Sequence, residues 1–106
     1  MSYIQVVTTT ARREEAERIA RELVEARLAA CVQIVGPITS MYRWQGKLET
    51  DEEWQCWAKT RGELFARVEE AIRRIHPYEV PEIIAVPIIA GSASYLAWLD
   101  AETADK

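Results

Sequence analysis

One histidine and two cysteines bound the metal chemistry open to this chain of 106 residues. His76 stands directly before Pro77, and Glu82 follows a few positions on. Imidazole with carboxylate suits Cu²⁺, Zn²⁺ or Ni²⁺. Two protein ligands hold such an ion weakly unless a neighbouring subunit adds others. The competing reading of His76 is a surface or capping imidazole, since a cation is favoured at a helix C-terminus. Cys31 and Cys56 have neither CxxC spacing nor a disulfide-rich context, and read as two reduced, buried thiols of a cytosolic protein. One His and two separated Cys cannot supply a structural zinc site of the usual four-ligand kind. Glu49, Asp51, Glu52 and Glu53 surround an expected hairpin turn. They could attract cations loosely, but they read better as a solvated, aggregation-resistant hairpin end.

Catalysis has little support. No Ser-His-Asp set is evident, because the single His lacks a carboxylate to orient it in the sequence. The four glycines are scattered, so there is neither a P-loop nor a GxGxxG. Arg12 and Arg13, after a strand and beside a helix start, could bind an anion together with first-turn N–H groups. An acylphosphatase-like enzyme would work that way, although Thr8 to Arg13 lacks the glycine such a loop needs. An RNA-recognition module would need stacking aromatics, which Trp54 and Trp57 superficially provide, and a basic sheet face. Thirteen basic against seventeen acidic residues give a formal charge of −4, which argues against nucleic acid. No apolar run approaches the ~20 residues that span a bilayer. Met1-Ser2-Tyr3-Ile4-Gln5 lacks a basic region followed by an apolar one, so no secretory signal is expected and the location expected is cytoplasmic.

The elements that must position these residues follow from periodicity. Tyr3 to Thr9 reads as a strand rich in β-formers. Arg12 to Ala30 reads as a helix, with Ala16, Ile19, Ala20 and Leu23 on one face. Cys31 to Trp44 reads as a strand that Gly36-Pro37 interrupts with a bulge or bend. Gln45-Gly46-Lys47 reads as a turn, and Glu52 to Thr60 as a third strand pairing with the second in a long hairpin. Trp54, Cys56 and Ala58 share one face of it, Gln55, Trp57 and Lys59 the other. Thr60-Arg61-Gly62-Glu63 matches a capping box for a second helix that runs to about His76 and is stopped by Pro77. Glu82 to Ile89 is a nearly continuous apolar run, which predicts a fourth strand that is central or covered on both faces. Ser94 is a candidate cap for a short last helix through Leu99 to about Ala101, with a frayed tail over Glu102–Lys106.

The order βαββαβ plus a C-terminal helix makes one α+β domain over residues 1–106. Two right-handed crossovers give a ferredoxin-like four-stranded antiparallel sheet with both crossover helices on one face. The hairpin is longer than the strands it must pair with, and its far part carries Tyr42, Trp44, Trp54 and Trp57. A single subunit has no second layer for these rings, so the expectation is an oligomer.

Particular strings are also similar to a known family. They are Arg27-Leu28-Ala29-Ala30-Cys31-Val32, the run Gly36 to Lys47, Lys59-Thr60, His76-Pro77-Tyr78-Glu79-Val80-Pro81-Glu82-Ile83, and Tyr95-Leu96-Ala97-Trp98-Leu99. In this order they resemble CutA1, the divalent-cation tolerance proteins, from about Tyr3 to Leu99. The resemblance implies a ferredoxin-like subunit in a homotrimer whose long hairpins pair between neighbours, burying Tyr42, Trp44, Trp54 and Trp57. It implies a link to tolerance of copper and other divalent cations, with no obligatory cofactor. Metal ligation in that family is associated with a first-strand cysteine, the His of His-Pro-Tyr and the Glu after the second Pro. His76 and Glu82 match. The first-strand position falls in Thr8-Thr9-Thr10, without a thiolate, so the resemblance implies weak binding of Cu²⁺ or another divalent cation. The assembly resembles the PII signalling trimers. That gives the alternative of a small molecule or protein partner in an inter-subunit cleft, with Thr8, Thr9, Arg12 and Lys59 as candidate lining residues.

Overall fold

Strand β3 alternates between buried and partly exposed residues from Cys56 to Arg61, and that alternation fixes which side of the sheet becomes the core. The structure, a computed structural model, describes residues 2–103. Its elements are β1 (Tyr3–Thr10), α1 (Arg13–Glu25), β2 (Cys31–Trp44), β3 (Lys47–Arg61), a 3-10 turn (Gly62–Leu64), α2 (Phe65–Ile75), β4 (Ile84–Ile88) and α3 (Ala93–Glu102). The sheet order is β2-β3-β1-β4 with every pair antiparallel, which is the ferredoxin-like α+β plan. Val6 pairs with Ala58 and Thr8 with Cys56, so these residues point to one side. There they meet Ala16, Ile19 and Leu23 of α1 and Val68, Ala71 and Ile72 of α2 in one core.

Tyr3 and Arg61 are register partners on the opposite side. Helix α3 lies there: the Tyr3 hydroxyl donates to Asp100 Oδ2 at 2.9 Å, and Arg61 Nε donates to Thr103 Oγ1 at 3.1 Å. Ser92 caps α3, its hydroxyl accepting from the Tyr95 N–H at 3.3 Å, where Ser94 was the expected cap. Thr103 is fully buried, so the chain is packed at least to that residue. The rest of the expected frayed tail, 104–106, lies outside the described residues.

The elements differ from expectation at several points, for physical reasons. Helix α1 ends at Glu25 rather than Ala30, because Arg27 adopts a left-handed φ of 61°. Its N–H donates to Val24 O and that of Leu28 to Leu23 O, the Schellman pattern usually marked by glycine. Thr60 does not cap α2: it is the buried end of β3, and its hydroxyl is committed to Leu28 O. Strand β4 is an edge, not a central strand, and Ile84 and Val86 are 49% and 43% exposed. Cys56 is buried as expected, its thiol donating to Ala16 O and pushed by burial up to about 11, whereas Cys31 is only half-buried.

The hairpin turns at Gln45 and Gly46, both with positive φ (51° and 82°) as a type I′ turn demands. The acidic stretch 49–53 therefore sits within β3 rather than at the turn. Midway along the hairpin the β2–β3 register shifts between Val35 and Ile38, where the Gly36–Pro37 peptide is cis. Gly36 is needed for space. A Cβ there would stand 2.6 Å from Trp54 Cε3 and 3.2 Å from the Glu53 carbonyl oxygen. Gly36→Ala should therefore lower stability by ~1–3 kcal/mol, the usual cost of overpacking. Chemical denaturation measures this, and an unchanged midpoint would show that the Trp54 ring has room to yield.

Candidate functional site

Helix α2 stops where Pro77 cannot continue it, and the residue before the proline becomes a clamp. His76 is extended (φ −76°, ψ 130°), and its N–H still caps Ile72 O at 2.9 Å. Its ring is buried, with both nitrogens engaged. Nδ1 accepts the Tyr78 N–H at 3.1 Å, which assigns the ring proton to Nε2. Nε2 then donates to the Thr9 carbonyl at 2.8 Å. This neutral imidazole ties the segment after α2 to the end of the central strand β1. Burial lowers its pKa, opposed by the Thr9 carbonyl and by Glu15 and Glu53.

Beyond the clamp, residues 78–82 close over the outward face of the hairpin. The Tyr78 ring lies 4.8 Å from the imidazole, and its hydroxyl donates to Glu53 Oε2 at 2.6 Å. Glu53 is only 6% exposed. Together they frame a cleft of about 540 Å³ lined by Thr9, Ser40, Met41, Tyr42, Trp44, Glu53, Tyr78, Glu79, Val80 and Glu82. The Tyr42 hydroxyl donates to Asp51 across the hairpin, and that bond pushes the phenol up to about 12. The Tyr78 phenol is raised as well, first by burial and then by its bond to Glu53. The Glu82 carboxyl is raised by burial and by the nearby negative charge of Glu53.

The structure gathers some of the expected residues and separates others. Thr9 and Glu82 line the cleft, and His76 stands behind it, holding Thr9 and Tyr78. Metal coordination by His76 would have to displace the Tyr78 N–H from Nδ1, or the proton and the Thr9 carbonyl from Nε2. Thr8 faces the helices and is buried, with Oγ1 unpartnered. Arg12 lies outside the cleft, 4.0 Å from Glu14 in an exposed pair. Lys59 sits over the Trp57 ring and bonds Gln33, roughly 20 Å along β3 from Glu53 at the strand rise. Tyr42 and Trp44 form one cleft wall and are 40% and 39% exposed. Trp54 packs on its own subunit's core, with the Arg13 guanidinium 5.3 Å from its ring centroid. Two site residues escaped sequence reasoning, Glu53 and Tyr78. The Tyr beside His76-Pro77 is a signal for Tyr78, whereas nothing in the sequence sets Glu53 apart from Glu49, Asp51 and Glu52. Among the described residues no group of three or more His, Cys, Asp or Glu is placed to hold a metal ion.

The clamp makes stability pH-dependent in a defined direction. The folded state lowers the His76 pKa below 6.5, so at this site it binds fewer protons than the unfolded chain. The stabilisation is complete above that unfolded value and is lost as pH falls toward the folded one. Between about pH 7 and about pH 5, wild type should lose urea midpoint more steeply than His76→Gln, because that window spans the imidazole titration. Parallel slopes would remove His76 as the source.

A family model described as "CutA1 divalent ion tolerance protein" matches residues 4–102. The "Divalent-cation tolerance protein CutA" of Thermus thermophilus is 47% identical over 98 residues, covering 92% of this chain and 95% of that protein. Mouse "Protein CutA" is 48% identical over 84 residues, 79% of this chain, and the match spans only 48% of the mouse protein. Among solved structures, the "Periplasmic divalent cation tolerance protein CutA" from Archaeoglobus fulgidus superposes with a TM-score of 0.93 at 41% identity, covering 96% of this chain and 99% of that one.

Proposed function

The chain belongs to the CutA1 divalent ion tolerance family, and on that premise we propose that it is a homotrimeric copper-tolerance protein that binds divalent cations weakly and catalyses nothing. The observation that carries metal binding is that Glu82 and the buried Glu53 line one cleft. Glu82 is exposed, yet partial desolvation and the like charge of Glu53 raise its carboxyl pKa, and a bound cation offsets that repulsion. Weak rather than tight binding fits the absence, among the described residues, of a three-ligand cluster, and the engagement of both His76 nitrogens. Trimer assembly accounts for exposed apolar surface on β4 and the hairpin, where Ile84, Val86, Tyr42 and Trp44 have no cover in one subunit. No described helix is long and apolar enough to cross a membrane. A cytoplasmic location and the lack of a nucleic-acid partner belong to the same reading, supported by two free cysteines and the formal charge of −4.

One feature favours the second reading, a PII-like trimer that binds a small molecule. The cleft measures about 540 Å³, within the ~300–1,000 Å³ of ordinary ligand pockets and far beyond the need of a bare ion.

Light scattering should report about three times the 12.1 kDa subunit mass, and Trp44→Ala should shift the population toward monomer. A monodisperse wild-type monomer would contradict the assembly. In calorimetric titration, Glu82→Gln should weaken Cu²⁺ binding by no less than the ~10–100-fold that outer-shell changes cost. An isotherm overlaying that of wild type would sink the Glu82 site.

A further inference from the structure

We infer that His76 is a positioning residue of the divalent-cation site and not one of its ligands, so that a bound ion has no imidazole in its coordination shell. The inference deepens the reading of Glu82 and Glu53 as the pair that meets the cation, and rests on it. The family resemblance assigns ligation to the His of His-Pro-Tyr, and the ring found here does not fit that role. A transition metal sits ~2.0–2.1 Å from an imidazole nitrogen, along its lone pair. Nε2 carries the ring proton and has the Thr9 carbonyl oxygen 2.8 Å away, so an ion on that nitrogen would stand almost on the oxygen. Nδ1 has the Tyr78 amide nitrogen at 3.1 Å, and an ion there would displace that N–H and leave it without an acceptor. A neighbouring subunit supplies no free ring either, because the chain has a single histidine and every copy holds it the same way.

What the ring does is place other groups. By tying the Thr9 carbonyl to the Tyr78 N–H it fixes the chain just past Pro77. The Tyr78 ring packs 4.8 Å from the imidazole, and its hydroxyl reaches Glu53 Oε2 at 2.6 Å. Oε1 of Glu53 is left without a hydrogen-bond partner among the described residues, and Glu82 comes to the same cleft. These bonds lie within one subunit and His76 is buried, so covering the outer surface on assembly leaves them in place. The softer ligands are out of reach. The Cys56 thiol is in the core, bonded to Ala16 O, and Cys31 pairs with Lys59 far along β3. Carboxylate and water oxygens remain, a set that suits hard divalent ions better than copper.

The test loads the intact protein with Cu²⁺ and records its electron spin echo modulation, with natural and with ¹⁵N-labelled histidine. A coordinated imidazole modulates the echo through its remote nitrogen, so labelling should leave the wild-type spectrum unchanged. A spectrum that changes on labelling would overturn the inference, and if Glu82→Gln still weakens Cu²⁺ binding the metal reading survives it. Calorimetric titration with Cu²⁺ then separates positioning from ligation. His76→Ala should weaken binding ~10–100-fold, as loss of an outer-shell group does. His76→Asn puts an acceptor where Nδ1 stands, and the amide of His76→Gln can reach the Thr9 carbonyl. Each should recover part of the loss, which a missing ligand would not allow. Equal losses in all three variants, or no loss in His76→Ala, would overturn positioning. Where a variant fails to fold, the labelled wild type still decides. Wild-type protein that binds no Cu²⁺ would remove the metal reading and this inference with it.

Discussion

A slip of one residue in the pairing of β3 would exchange its two faces, and everything else in the subunit depends on that not happening. The strand runs from Lys47 to Arg61 and pairs with β2 on one side and β1 on the other. Its inward set is Trp54, half-buried at the edge of the core, followed by Cys56, Ala58 and Thr60, which are small and fully buried. Its outward set, Glu53, Gln55, Trp57 and Lys59, is large or charged. Exchanging them would press a carboxylate and an ammonium against α1 and α2, at a desolvation cost exceeding any packing gain. The small inward residues have a second consequence. They let the helices approach the sheet closely, so bulk comes from the helices, through Ile19, Leu23, Val68 and Ile72. Register, core and cleft are thus one constraint seen from three places.

The clamp at His76 converts that sheet geometry into a site. A proline ends α2, and the chain must then reach the β4 edge across the open end of the sheet. Without a tie this segment would bring no fixed side chain to the outward face. The imidazole supplies the tie because it offers one donor and one acceptor in opposite directions, to Thr9 O and from the Tyr78 N–H. Tyr78 then carries the connection onward to Glu53 on β3. β1, the α2–β4 segment and β3 are therefore linked by a short chain of hydrogen bonds, and Glu53 keeps a partner that compensates part of its burial.

Most of the element order was legible in the sequence, because periodicity of two and of 3.6 separates β3 from α1 and α2 without tertiary information. The failures are local conflicts settled at long range. Thr60 has the spacing of a capping residue, but the carbonyl of Leu28 takes its hydroxyl first. Arg27 gives no glycine signal, yet it takes the left-handed position, and its guanidinium Nη2 bonds Ala101 O at 2.7 Å, an interaction between residues far apart in the chain. The apolar run of β4 reads as a covered strand, and within one subunit it is an edge; the run records a demand for cover that a single chain does not meet. For the site, His76, Glu82 and Thr9 could be picked out as chemistry-bearing residues. Glu53 could not be told from its acidic neighbours, because only the register of the hairpin says which of Glu49, Asp51, Glu52 and Glu53 is buried.

The two carboxyls of the cleft explain why its charge is more informative than its shape. Two carboxylates close together in partly desolvated surroundings destabilise each other unless something positive is shared between them. The structure meets this in part with neutral groups: Tyr78 donates to Glu53, and Tyr42 donates to Asp51 rather than adding a negative charge of its own. Raised phenol pKa values keep both hydroxyls protonated at neutral pH, so the compensation is stable but small. No basic side chain was placed among the lining residues to complete it. Within one subunit, the hydroxyls of Tyr78 and Tyr42 are therefore the groups that meet the acidic side of the cleft, and they meet it as neutral donors.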